Sequence, residues 1–429
     1  MSSNLKIVLM PNILKFGTLV DEKLQLIRNE THSNIVEVKL DRFSNGEGKA
    51  TIIDSIRGKD VFLLSDVGNY GDESMYQSRC NKYLKSPDDH FQDIKRVISA
   101  MNGKENSLHV VMPLLYQSRQ DKRKACESLD CSEALRELEH RGVDGIITFD
   151  VHNPAIENAL QNCSFDNLYP TYSILSKFVE EEEYSTDNLM IVAPDTGAMD
   201  RALYYADSLG VDVGVFYKRR DFSKVVNGKN PVVEHKFLGN DVAGKDVIIT
   251  DDMIASGGSI LEVATDMKAR GANKIYLVAT FPLFTEGDKS IKAFDKAYEA
   301  GIFHKLYTTN VTYVPQEIQD REWFNEVDCS KYLARIINAI YERDSIRGFL
   351  DGKAKLQEKI LQKRMGEVQQ DSKMVEKLTE NREKKTTTTK KTTTKFVGTV
   401  TTKKTTTKAK TTTKTTAKKT TCKRTTKNR

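Results

Sequence analysis

The sequence has no run of 18 or more apolar residues, which excludes a transmembrane helix. Its first residues, MSSNLKIVLMPNILKFG, lack the basic start, apolar stretch and small-residue cleavage site of a secretory signal. Cysteine is sparse: six residues, Cys80, Cys126, Cys131, Cys163, Cys329 and Cys422, show no zinc-ligand spacing. This fits thiols kept reduced in a cytoplasmic compartment, with Cys126 and Cys131 the one pair close enough to suggest redox or metal chemistry. Acidic residues are missing altogether from the end of the chain: 384–429 holds 16 Lys or Arg and no Asp or Glu. Taking those 16 from the 66 basic residues leaves 50 in 1–383 against 60 acidic ones, a net −10 beneath the overall +6. Arguments about nucleic acid or membrane surfaces therefore apply to the tail and not to the body.

The tail, 384–429, is built mainly of Thr and Lys and cannot bury enough apolar surface to offset chain entropy, so disorder is expected. It is either a solubilising extension or a nonspecific binder of nucleic acid or other polyanions. Its single aromatic residue, Phe396, argues against base stacking. Before it, 352–383 is rich in helix formers, with Leu356, Ile360, Leu361 and Met365 near helical spacing, which predicts a solvated helix or short coiled coil.

The rest alternates apolar runs with helical stretches. Candidate strands are LKIVLM at 5–10, DVFLLSD at 60–66, HVVMPL at 109–114 and GIITFDV at 145–151. Further along come LMIVAPD at 189–195, VGVFY at 213–217, DVIITDD at 246–252 and KIYLVAT at 274–280. Continuous apolar runs suit strands covered on both faces. The alternation predicts an α/β fold with parallel sheets flanked by helices, in two units joined near 155–175.

Polar clusters follow several of these strands, where open α/β sheets hold ligands. In IITDDMIASGGSILEVA, a strand leads into Asp251 and Asp252, then the loop Ala255-Ser256-Gly257-Gly258-Ser259 opens a helix. Glycines let backbone approach an anion, and the helix start offers free N–H groups and a positive dipole. Carboxylates accept hydrogen bonds from vicinal sugar hydroxyls, so the segment suits a sugar phosphate. In IVAPDTGAMDRA, Asp195 is a candidate metal ligand beside a turn suited to diphosphate. In ITFDVHNP, Asp150 and His152 lie two apart at a strand end, which period-two geometry places on one face, with His152 a candidate for Mg²⁺ or phosphate. Lys218, Arg219 and Arg220 are placed directly after a strand; they are either a solvated cluster or an anion site. RFSNGE and YQSRQDKR are polar Arg-bearing loops, the second offering Arg119 and Gln120 to a nucleotide.

Taken in order, RFSNGE, IRGKDVFLL, YQSRQDKR, TFDVHN, FDNLYP, APDTGAMDR, YKRR, DDMIASGGS, FPLF and SKYLARIINAI resemble the ribose-phosphate pyrophosphokinase family, from about Val36 to about Leu350. The resemblance implies two phosphoribosyltransferase-like domains. The expected division is an ATP-side domain at 1–160 and a ribose 5-phosphate domain at 161–325. A helix at 326–351 would return to the first domain, followed by the helical extension 352–383 and the disordered basic tail 384–429. It implies transfer of the β,γ-diphosphoryl group of MgATP to the C1 hydroxyl of ribose 5-phosphate, releasing AMP, for nucleotide biosynthesis in the cytoplasm. ATP would lie against Asn45, Gly46, Glu47, Arg119 and Gln120, and Mg²⁺ near His152 and Asp195. Ribose 5-phosphate would lie against Asp251, Asp252, Arg220 and the loop Ala255, Ser256, Gly257, Gly258, Ser259. Lys218 and Arg220 would be the catalytic pair on a mobile loop, in a homo-oligomer, commonly a hexamer. Two positions depart from the family pattern: Asn45 and Ala255 stand where Asp is common. A noncatalytic regulatory homologue is the alternative, but it would be expected to lose the basic pair or the metal residues, which this chain keeps.

Overall fold

The computed structural model describes residues 4–75, 82–123, 125–220 and 232–365; the side chains of 73–75, 82–83, 218–220 and 232–235 lie outside that description. Two sheets dominate. The first contains Leu5–Leu9 (β1), Ile35–Val36 (β2), Asp60–Leu64 (β3), Ser107–Val111 (β4), Gly145–Phe149 (β5) and Ser164–Leu168 (β6). Their order is β6-β5-β4-β3-β1-β2, and every pairing is parallel. Such a sheet must be covered on both faces, and alternation along β3 shows how. Val61 and Leu63 join a core with Ile94 and Val97 of helix Pro87–Met101 and Leu135 and Leu138 of helix Asp130–His140. Phe62 and Leu64 join the opposite core, with Val20 and Leu24 of helix Leu14–Arg28.

Helix Pro87–Met101 starts where local chemistry dictates. Pro87 occupies the first turn, and Ser86 and Asp89 form a reciprocal capping box. An antiparallel ribbon, Val38–Arg42 with Gly48–Ile52, packs against this helix, anchored by Arg42 on Asp93 at 2.7 and 2.8 Å.

The second sheet contains Leu189–Ala193 (β7), Asp212–Arg220 (β8), Val232–Leu238 (β9), Asp246–Ile254 (β10), Ile275–Pro282 (β11), Lys305–Thr309 (β12) and Phe324–Val327 (β13). The order is β9-β8-β7-β10-β11-β12-β13, with β8 and β9 antiparallel and the other pairs parallel. The chain leaves β7 toward β8 on one side and reaches β10 on the other. That reversal opens a crevice at the carboxyl ends of β7 and β10. Met253, Phe281 and Leu283, beside the carboxyl ends of β10 and β11, are buried in one core with Leu64, Val111 and Phe149 of the first sheet. The carboxyl ends of the two sheets thus meet across a shared apolar joint.

Helix Ser330–Glu342 lies back on helix Leu14–Arg28. Leu333, Ile336 and Ile337 share its core, and Arg28 Nη1 donates to Asn338 (2.9 Å) and Glu342 (2.6 Å). Residues 353–365 are helical, and one face of the part up to Lys363 packs on the body instead of standing free in solvent, while Leu361 stays exposed. Leu356 and Ile360 are buried with Ile174, Leu175 and Phe178 of helix Thr171–Glu181. Lys359 bonds Ser176 and Glu180, and Lys363 donates to the carbonyls of Val179 (2.5 Å) and Glu182 (2.8 Å). The expectations for 366–383, for the disordered tail and for the loop 221–231 lie outside the described residues. Among the described residues no helix is long and apolar enough to cross a membrane.

All eight candidate strands are present. Two local expectations change. Strand β8 runs to Arg220, so Lys218, Arg219 and Arg220 belong to the strand and do not follow it. Strand β5 stops at Phe149, and Asp150 adopts φ +39, so period-two geometry no longer relates Asp150 to His152.

Candidate functional site

Asp251 and Asp252 sit inside β10, which continues through Met253 and Ile254 paired with Phe281 and Pro282. Successive strand residues face opposite ways, and the two carboxylates have different partners. Asp252 Oδ2 lies 2.7 Å from Nδ1 of His152, and its Oδ1 accepts the Met253 N–H at 2.7 Å. Burial works to raise the Asp252 pKa, but the His152 bond and the Arg201 charge outweigh it and hold Asp252 below the usual carboxylate range. The same bond raises His152 above an ordinary histidine, against the effect of its own burial. Asp251 accepts the Asp252 N–H at 2.9 Å. Burial first, then the Asp252 and Asp195 charges, push its pKa well above the ordinary value, although Arg201 opposes them.

The following loop is shaped by one glycine. Gly257 has φ +80, and a Cβ there would lie 2.2 Å from Phe294 Cε2. Only glycine meets both demands. The loop is tied at its back: Thr285 N–H donates to Ala255 O (2.9 Å) and Ser290 Oγ to Ser256 O (3.1 Å). Ser256, Gly258 and Ser259 are exposed at the start of helix Gly258–Ala269, an arrangement suited to an anion.

Asp195 follows β7. Its Oδ1 accepts the N–H groups of Gly197 (2.8 Å) and Ala198 (3.2 Å), while no hydrogen bond or ion pair among the described residues occupies its Oδ2. From the first sheet, His152 arrives after β5. Its neighbour Asn153 is fixed by Asp121 at 2.5 Å. Arg119, after β4, places Nε and Nη2 3.1 and 2.8 Å from Met253 Sδ, and its charge is felt at His152. A thioether is a weak acceptor, so most of the donor capacity of Arg119 faces outward. Gln120 is turned into its own loop, donating to Ser128 O at 2.7 Å.

The structure therefore brings together Arg119, His152, Asp195, Asp251 and Asp252. Asn45, Gly46 and Glu47 form the tip of the ribbon Val38–Ile52. Gly46 has φ +93, and Asn45 Oδ1 accepts the Glu47 N–H at 3.1 Å. No hydrogen bond or ion pair among the described residues joins these three to the cluster. The side chains of Lys218 and Arg220 lie outside the described residues.

Sequence reasoning missed Arg201. From helix Met199–Leu209 it makes a bidentate pair with Asp150, Nη2 to Oδ1 at 2.7 Å and Nε to Oδ2 at 3.1 Å. Thr280 Oγ1 donates to Asp150 at 2.5 Å. Arg201 was legible only as part of the segment APDTGAMDR; nothing local marks a partner 51 residues away.

Among the described residues no group of three or more His, Cys, Asp or Glu is arranged to hold a metal. Mg²⁺ carried on substrate phosphates needs only one or two protein groups. Asp195 Oδ2 is a carboxylate oxygen of that kind, and His152 Nε2, a nitrogen, fits a contact through one of the waters Mg²⁺ retains.

Two meeting α/β units, one with a Gly loop and acidic strand end at a topological switch point, define a protein of the phosphoribosyltransferase class. A family model described as the N-terminal domain of ribose phosphate pyrophosphokinase matches residues 15–142, and one described as the phosphoribosyl transferase domain matches 172–311. A ribose-phosphate pyrophosphokinase of Ralstonia nicotianae is 30% identical over 249 residues, 57% of this chain and 70% of that protein. One from Wolinella succinogenes is 27% identical over 309 residues, covering 72% of this chain and 88% of that one. The crystal structure of phosphoribosylpyrophosphate synthetase from Mycobacterium smegmatis shares the fold. Its TM-score is 0.64 at 22% identity, over 80% of this chain and 100% of that one. The chain belongs to the ribose-phosphate pyrophosphokinase family and is a transferase of diphosphate groups.

Proposed function

We propose that the protein transfers the β,γ-diphosphoryl group of ATP to the C1 hydroxyl of ribose 5-phosphate, forming 5-phosphoribosyl 1-pyrophosphate and AMP. The observation that carries this reading is the convergence on one crevice of the loop 255–259, Asp251 and Asp195 with Arg119 and His152 from the other sheet. The loop and helix start receive the sugar phosphate, and Asp251 faces the pentose hydroxyls. Arg119 attracts the nucleotide, with Asn45–Glu47 assigned by family resemblance. Mg²⁺, bound with the nucleotide near His152 and Asp195, supplies charge neutralisation at the diphosphoryl oxygens.

The C1 hydroxyl oxygen attacks the β-phosphorus in line and gives up its proton to solvent, while the bond from the β-phosphorus to the bridging oxygen breaks and that oxygen leaves with AMP. Negative charge grows on the transferring oxygens, and Lys218 and Arg220 stabilise it electrostatically. Lys218→Ala is expected to lower turnover by about 10²–10³-fold, the usual effect of losing a transition-state donor, while ribose 5-phosphate still binds. Mass-resolved detection of AMP and the phosphoribosyl product, with calorimetry for the sugar phosphate, reads both. Near-normal turnover in that variant removes Lys218 from the reaction.

A further inference from the structure

The two carboxylates of the acidic pair do not have equal freedom. Both oxygens of Asp252 are committed, Oδ2 to His152 and Oδ1 to the Met253 N–H, and its side chain is only 7% exposed. The His152 side chain is 49% exposed, and its Nδ1 is the atom turned inward. Its backbone is held on both sides: Val151 N–H donates to Asn167 Oδ1 at 3.0 Å, and Asn153 is clamped by Asp121. The remaining freedom is ring rotation and the choice of tautomer, and a carboxylate at 2.7 Å from Nδ1 settles both.

We infer that Asp252 is a positioning residue for His152: it accepts the Nδ1–H, fixes the ring, and leaves the Nε2 lone pair facing the crevice, while Asp251 alone meets the pentose. A carboxylate behind an imidazole is the usual way to orient a metal-facing histidine. The inference rests on the proposed function for what Nε2 meets, directly or through water. Because Asp252 lies on β10 and His152 follows β5, the bond also joins the two sheets at the crevice.

The test uses the full chain with Mn²⁺ as probe metal in the presence of ATP. In Asp252→Asn, the amide donates to Nδ1 and moves the ring proton to Nε2. ¹⁵N NMR of the His152 ring, assigned with His152→Gln, should show this tautomer change. Mn²⁺ affinity by electron paramagnetic resonance should fall about 10–100-fold, the range for lost orienting carboxylates. Ribose 5-phosphate affinity should stay within about twofold, and Asp252→Glu should partly restore the ring signature. A tenfold or greater loss of ribose 5-phosphate affinity with an unchanged ring signature overturns the inference. So does a wild-type ring whose neutral form carries its proton on Nε2, a measurement that needs no variant. Asp251→Ala, which removes both donor and acceptor, separates the two readings. If it binds ribose 5-phosphate normally, the pentose assignment fails while the tautomer result still decides the role of Asp252.

Discussion

Arg201 and Asp150 offer the sharpest test of how the crevice is held. The Arg201 side chain is 15% exposed and that of Asp150 4%. Burial opposes the guanidinium charge, yet Asp150, with help from Asp252 and Asp251, keeps Arg201 above the ordinary arginine value. Arg201→Met would leave the Asp150 carboxylate buried with only the Thr280 hydroxyl and its own left-handed backbone at φ +39. Stranding one partner of a buried pair costs about 3–5 kcal/mol, whereas replacing both with neutral groups can cost far less. Urea denaturation of wild type, Arg201→Met, Asp150→Asn and the double variant closes a double-mutant cycle. The expected result is a loss of about 3–5 kcal/mol in Arg201→Met, largely recovered when Asp150→Asn is added. A single-variant loss below about 1 kcal/mol, or additive losses in the double variant, would refute the reasoning, because exposed pairs behave that way.

A pH prediction comes from Asp66, which is fully buried between Thr312, Tyr313 and Gly68 and has its carboxyl pushed by burial from 3.8 up to about 7. The folded state therefore holds this proton between those two values, so its contribution to stability falls as pH rises from about 4 to 7, by on the order of 4 kcal/mol. Asp66→Asn should remove that part of the slope, and an identical stability-pH curve for variant and wild type would contradict it. At Gly257, an added methyl meets Phe294 and a left-handed backbone, so Gly257→Ala should cost about 2–4 kcal/mol in urea denaturation from strain and overpacking. Calorimetry should show weaker ribose 5-phosphate binding in the same variant, and unchanged affinity would separate the loop from the sugar phosphate.

The strands visible in the sequence are those whose side chains alone demand burial on both faces. Segments such as ITFDV and VIITDD carry continuous apolar runs bounded by polar residues. Strands β2, β6, β9, β12 and β13 escaped notice: four have two to five residues, several of them polar, and the apolar residues of the seven-residue β9 are interrupted by Glu234, His235 and Lys236. Their extended state is imposed by neighbours, as when Leu306 pairs with Leu277 and Phe324 with Leu306. The same boundary divides the site. The Gly loop, the acidic pair and His152 are local patterns and were legible. The pairs Arg201–Asp150 and His152–Asp252 span 51 and 100 residues, and only the meeting of two sheets creates them. Leu356 and Ile360 illustrate the limit as well: their helical spacing is plain, but what they cover is set by helix Thr171–Glu181.

Charge accounting shows why the described cluster is only part of a machine for phosphates. Asp150 is neutralised by Arg201, whereas Asp252 accepts from a His152 ring that cancels its charge only when protonated. Asp251 adds no full charge, because burial first, then Asp252 and Asp195, push its carboxyl up to about 8; near neutral pH the uncompensated charge lies on Asp252 and Asp195. Two polyanionic substrates would be repelled there, with Arg119 as the nearby compensating cation. A crevice of this sign suits sugar hydroxyls and a divalent ion, and it requires further cations wherever phosphoryl charge develops. Strand β8 ends in Lys218-Arg219-Arg220, beside β7 and therefore beside Asp195 in sheet order. The proposed division of labour follows: carboxylates select the pentose and hold the metal, while the β8 cations carry the diphosphoryl charge. Charge reversal at Lys218 should then weaken turnover far more than sugar phosphate binding, whereas Asp251→Ala, which removes the group assigned to the pentose, should do the opposite.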